Sequence, residues 1–544
     1  MKKSSILVSI LLAGMSISLV GCGKKSPYSD KNLVQIDPYQ YETTYRSMRI
    51  SGSGYTAEQY TEHKNAEGKK AFVIEDVRAL VIPVDFTDYP ASSLPKGEEG
   101  TKEQLQKVMF GSESEMPWYS LSRYYEASSF GQCKISGEVH DWYHVDMTAE
   151  AFAKAEGGTA GSQTVINRIE EMYHKEYVAA KIVGDEEKMQ KYDLTRFDAN
   201  KDGYVDSVIM IYSAPIQTTG TLFWAFCWSV LGAWGQYSPE REGTNRFFWA
   251  SYWFFYDKVL DKRTKEGYPY ASAELREKIA NDEVEMDSHT MIHEYGHVLG
   301  MPDYYITDYN KTDFDGMGYL DMMDYNIGDH NAMSKAWYGW INPKYVVGSV
   351  KTTLKSTTTT GDTIIIPIQG KYNNTLMDQF IMIEFLTPEG VAYQDGVTRF
   401  KDGYPMYYSK AGIRVLHVDA RLGSFNYVSS SGKWQFAGFT TSTNTAGDGN
   451  SVRTACDNTA TDSCFPDYKL IEVLPSTGKS IKSYGASNDD LLYYQGSSFG
   501  VAGGAWENYQ MHDSAGGKTV PLGFSFTVDK INGNESVELT INKL

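Results

Sequence analysis

The chain has 544 residues, 41% of them apolar and 22% charged, enough material for a large core; a small disulfide-stapled scaffold and a disordered chain are both excluded. Its 51 Lys and Arg stand against 69 Asp and Glu, and the resulting formal charge of -18 argues against nucleic acid as a partner, because phosphate binding needs the opposite sign.

The amino terminus reads as an export signal. Lys2 and Lys3 precede an apolar run from Ile6 to Val20 that is too short for an ordinary membrane span. The run ends in Leu19-Val20-Gly21-Cys22, which resembles the lipobox of bacterial lipoproteins. On that reading residues 1–21 are a cleaved signal, and Cys22 is lipidated and anchors the protein at the cell surface or the extracytoplasmic membrane face. Residues 22–71 then form a polar tether or short pre-segment. Cys456 and Cys464 close a short polar loop suited to a disulfide, whereas Cys133 and Cys227 read as small packed apolar groups.

Regular structure is expected from about Phe72. Val77 to Phe86 is a continuous apolar run, the pattern of a strand buried on both faces. Helical patterns follow around Leu105 and from Ser120 to Ala127, then a strand pair from Cys133 to His144 and one helix from Ala151 to Ala180. Mixed helix and strand continue to about Pro343, so residues 72–345 read as one α+β unit. Residues 346–544 change character, with short apolar runs at 364–368, 380–386, 413–418, 469–474, 524–528 and 536–541 separated by Gly, Ser, Thr and Asn turns. That spacing predicts an all-β, sandwich-like region with a loop-like insert at 420–465.

The chemistry concentrates at residues 285–303, EMDSHTMIHEYGHVLGMPD. On a helix, His293 and His297 of the HExxH motif lie one turn apart on one face, so that two imidazoles meet one zinc ion. Glu294 lies beside the open coordination position, where it can take a proton from the water. Ile292, Tyr295, Gly296 and Leu299 form the stripe that buries the helix, and Gly300 and Pro302 end it. Composition gives only about 0.01 chance HExxH matches in a chain of this length.

Zinc needs a third ligand. No Glu occurs between Glu294 and Glu384, so a glutamate on the next helix is excluded; Gly300 and Asp303 instead complete HExxHxxGxxD, a form that resembles the metzincin signature with Asp for the third His. Asp303 is therefore the preferred ligand, with His330, Asp308 and Asp315 in reserve, and His289 reads as a supporting or surface residue. Leu320 to Asn326 looks like a Met-turn, with Met323 as the floor under the metal, and Tyr325 is a candidate donor to the oxyanion of the tetrahedral intermediate. Upstream, Asp198, Asn200, Asp202, Tyr204 (through its carbonyl) and Asp206 have the spacing of the first part of a calcium loop, although position 12 is Ile209 and not Glu.

The segments VIPVDF, YYEASSFGQCKISG, DANKDGYVDSVIMI, HEYGHVLGMPDYY, MMDYN and SKAWYGWINP together resemble the immune inhibitor A family of secreted zinc metallopeptidases, over about Val77 to Pro343. The resemblance implies a zincin fold and zinc-dependent hydrolysis of peptide bonds in extracellular proteins or peptides. It assigns zinc to His293 and His297, the general base to Glu294, and the carboxylate after Gly-x-Pro to Asp303. The expected form is a monomer acting on protein or peptide substrates. The rival expectation is a catalytically inactive surface lipoprotein that binds peptide or glycan.

Overall fold

A computed structural model describes residues 26–36, 61–64, 70–73, 76–199, 201, 203–217, 220–230, 235, 238, 240–244, 246–261, 268–306, 316–430, 433–440, 450–459, 469–481, 486–513 and 519–544. Cys22, Asn200, Asp202, Asp308, Asp315 and Cys464 lie outside them.

The apolar run at the start of the amino-terminal region forms the long strand Asp76–Phe86 at the heart of a mixed sheet. Lys134–Val139 and Tyr143–Val145 pair with one side of it and Ser207–Tyr212 with the other, all parallel. Arg246–Ser251 continues the sheet in parallel, and Phe226–Ser229 closes the edge antiparallel to it. Side chains alternate between the two faces of a strand, and here both faces are covered, which is why the sequence shows no polar alternation. Val77, Ala79 and Val81 pack under the helices Gly97–Phe110, Leu121–Ser128 and His289–Leu299. Leu80, Ile82 and Val84 pack under Ala149–Glu156 and Ala160–Val183. These last two were expected as one helix. Gly157 and Gly158 separate them at φ 75° and 77°, a left-handed backbone that ends the first helix.

The expected strands of the carboxy-terminal half form at Thr363–Pro367, Gln379–Leu386, Gly412–Asp419, Ile471–Val473, Phe524–Asn532 and Ser536–Lys543. The first four of these, with Lys344–Val346, belong to a six-stranded sheet. Its outermost strand is Leu33–Gln35, from the segment read as a tether, running antiparallel to Lys344–Val346. A second sheet joins Val350–Lys355, Ser536–Lys543, Phe524–Asn532 and Ser498–Phe499. Ile364, Ile366, Ile381, Ile383 and Val415 of the first sheet pack on Leu354, Val528, Val537 and Leu539 of the second. The opposite face of the six-stranded sheet presents Ile365, Met382, Leu416 and Val418 to the core that also buries Ile292, Tyr295 and Met323 of the amino-terminal half. The two halves thus share one apolar core. The insert at 420–465 is not a plain loop: Leu422–Val428, Lys433–Phe439 and Asn450–Thr454 form an antiparallel three-stranded sheet.

Candidate metal and catalytic site

The helix His289–Leu299 starts where the Asp287 carboxylate accepts the His289 N–H at 2.9 Å, and ends at Gly300, whose φ of 102° is left-handed. Ile292, Tyr295, Gly296 and Leu299 are all buried, as the stripe requires. Gly296 is needed for closeness: a Cβ there would stand 2.4 Å from the Met323 Sδ. Met323 lies in the turn Met322–Tyr325, capped by Asp321 and closed by Asn326 at φ 56°. Its sulfur therefore lies flush against the helix, between the turns that carry His293 and His297.

Both imidazoles are held from behind. His293 Nδ1–H donates to the Met322 carbonyl and His297 Nδ1–H to the Met301 carbonyl, each at 2.8 Å. This assignment of the ring protons leaves each Nε2 with its lone pair facing forward. Asp303 Oδ1 lies 3.3 Å from His293 Nε2 and 3.1 Å from His297 Nε2, and the three ligand atoms lie within 4.8 Å of one another. Among the described residues this is the one group of three or more His, Cys, Asp or Glu so arranged. Asp303 Oδ1 is buried and has no geometrically sound hydrogen bond. Without a cation, a proton on His297 has to hold Asp303 in this group; with both imidazoles neutral and Asp303 ionised, the same three residues offer two nitrogens and one carboxylate oxygen, a donor set that fits zinc.

The charges of the site respond to this closeness. Burial opposes ionisation of His297, yet Asp303 raises its imidazole to about 9 in the metal-free protein. Asp303 is likewise held well below the usual carboxylate range by His297 and His293, against its burial. Glu294 is buried, its Oε2 has no partner, and burial with the nearby Asp303 pushes its carboxyl up against the pull of the two histidines. Tyr305 is close to the same carboxylates. Burial and then Asp303 and Glu294 push its phenol well above the ordinary value.

The other residues read from the sequence make contacts of their own. Tyr325 packs its ring on Tyr319 at 4.3 Å and Tyr404 at 5.2 Å. His330 is buried against Tyr124 and Tyr125, outside the three-ligand group, with neither ring nitrogen hydrogen-bonded. His289 is buried between the rings of Trp118 and Phe400, with Nδ1 on Asp287 and Nε2 on Asp395. In the 198–206 loop, Asp198 accepts the Gly203 N–H, while Asp206 accepts those of Arg78 and Ala199. Burial pushes Asp206 up to about 7. Tyr204 pairs in a short parallel ladder with Gly243. The sequence reading missed Tyr305 and Arg246, whose Nη1 donates to the His297 carbonyl at 2.6 Å.

Residues 64–225 match the family described as immune inhibitor A peptidase M6, catalytic domain. The matched stretch contains the central strands of the mixed sheet and ends before His293. The chain is also similar to immune inhibitor A of Bacillus thuringiensis subsp. alesti, 22% identical over 258 residues, which cover 43% of this chain and 34% of that protein. The aligned part thus spans about a third of the relative's length. Both matches relate this chain to the immune inhibitor A peptidase M6 family that its motifs resemble.

Proposed function

We propose that the protein is a zinc-dependent endopeptidase of zincin type that hydrolyses peptide bonds in extracellular proteins or peptides. The observation that carries this reading is the convergence of His293 Nε2, His297 Nε2 and Asp303 Oδ1 beside a buried, unpartnered Glu294 oxygen. Zinc held by these three residues would supply Lewis-acid polarisation of the scissile carbonyl and a nucleophilic water at neutral pH.

The remaining work falls to the protein. Met322 and Met301 fix the two imidazole tautomers through their carbonyls. Glu294 Oε2 takes the proton of the attacking water and returns it to the leaving amine. A carboxyl raised by burial is better matched to that two-way transfer than an exposed one. Tyr325 is proposed as the oxyanion donor, and Tyr325→Phe tests it: the role requires a fall in kcat with KM unchanged.

Glu294→Gln is expected to lower kcat by at least about 10²-fold while one zinc remains bound. Retained turnover in that variant would refute the assigned base. The inactive binding-module alternative is not favoured, since HExxH is intact. The described geometry gives no support for calcium at the 198–206 loop, and the mechanism does not use it. A lipid anchor at Cys22 and a surface location belong to the same proposal; no described helix is long and apolar enough to cross a membrane.

A further inference from the structure

Arg246 begins the strand Arg246–Ser251, directly opposite Ser229 on the edge strand, and its residue is only 4% exposed. Its Nη1 donates to the His297 carbonyl at 2.6 Å, and its Nε has no hydrogen-bond partner. That carbonyl is its hydrogen-bond partner among the described residues, and no carboxylate there forms an ion pair with it. The Cys227 thiol lies alongside, raised by burial to about 12, with Arg246 pulling it down and Glu294 pushing it up. The guanidinium thus sits at the back of the metal site, with the carbonyl end of the active-site helix as its negative partner.

Buried guanidinium groups normally come with a carboxylate, because an unpaired buried charge costs stability. Packing alone would be served better here by an apolar side chain of similar length. What the charge supplies is a second hold on the last helical turn, the negative end of the helix, where the His297 carbonyl also accepts the Gly300 N–H at 3.0 Å. His297 is then held twice: at its backbone by Arg246, and at its ring by the Met301 carbonyl.

We infer that Arg246 is a positioning residue of the active site, fixing through the His297 carbonyl where His297 presents Nε2 to zinc. The inference rests on the zinc-peptidase reading above. It is tested with Arg246→Met and Arg246→Lys in the otherwise intact protein. Zinc affinity is measured by chelator competition, melting on the metal-free form, and kcat and KM on peptides that the wild type cleaves.

Arg246→Met is expected to melt, without metal, at or above the wild-type temperature. It should bind zinc about 10- to 100-fold more weakly, with kcat reduced and KM unchanged. Arg246→Lys, which keeps a cation near the carbonyl, should recover most of the zinc affinity. Should Arg246→Met fail to fold, Arg246→Gln is read in its place. Wild-type zinc affinity and kcat in the uncharged variant overturn the inference. So does a loss that merely tracks a lower metal-free melting temperature and is not recovered by Lys. A wild type that binds no zinc overturns the metal-site reading and this inference together, whereas zinc binding and unaltered variants overturn Arg246 alone.

Discussion

At the scale of single residues, the motif residues of the site were legible because their chemistry and spacing coincide. His293, Glu294 and His297 follow helical periodicity, and Gly300 and Asp303 follow the helix end. Tyr305 was not legible, since nothing in spacing distinguishes it among forty Tyr, and its meaning comes only from the fold of the turn after Asp303. Arg246 was hidden for another reason: it reaches His297 from a neighbouring strand, 51 residues away in sequence. Gly296 offers a sharp test of packing under the metal. Its missing Cβ is what lets the Met323 sulfur approach, and that sulfur is buried with little room to withdraw. Gly296→Ala is expected to cost about 1–3 kcal/mol of stability, measured by denaturant unfolding. An unchanged unfolding midpoint would show that Met323 can move aside freely.

At the scale of elements, the strands Gln379–Leu386 and Gly412–Asp419 were visible as apolar runs, but their register was not. That register sets Glu384 opposite Arg414, in a two-point ion pair at 2.6 and 3.1 Å that is almost wholly buried. Glu384 also accepts the Ala332 N–H, and Arg414 donates to the Leu320 carbonyl at the start of the Met-turn. The Glu that was missing from the metal site is thus used to dock the six-stranded sheet against the turn that floors it. Arg414→Met strands a buried carboxylate and is expected to cost about 3–5 kcal/mol, whereas Arg414→Met with Glu384→Leu should cost markedly less. Equal losses in the single and double variants, read from urea unfolding, would contradict a coupled pair. The three strands between Leu422 and Thr454 escaped the sequence reading because none carries a continuous apolar run: LGSFNYV and KWQFAGF mix aromatic with small or polar residues, and NSVRT is mostly polar.

At the scale of the whole molecule, the order of elements was legible, but the sharing of one core by the two halves was not, since it depends on which face of the six-stranded sheet meets the active-site helix. Two buried histidines near that junction carry opposite pH dependences. Burial, with Lys335 and His293, holds the His330 imidazole well below its ordinary value of 6.5. Below about pH 6.5 the unfolded chain therefore gains a proton that the folded chain refuses, and this contribution to stability falls as pH falls. His289 is raised above 6.5 by Asp287 and Asp395 against its burial, so its contribution is present below 6.5 and is lost as pH rises through its folded value. His330→Gln is expected to shrink the difference in urea midpoint between about pH 7 and pH 5 relative to wild type, and an unchanged difference would contradict the assignment. The central claim, a zinc peptidase with Glu294 as base, is tested most directly by incubating wild type and Glu294→Gln with a mixed peptide library, with and without a zinc chelator, and reading the products by mass spectrometry. The account predicts new peptide termini only with untreated wild type; cleavage that survives the chelator or the Glu294→Gln change would contradict it.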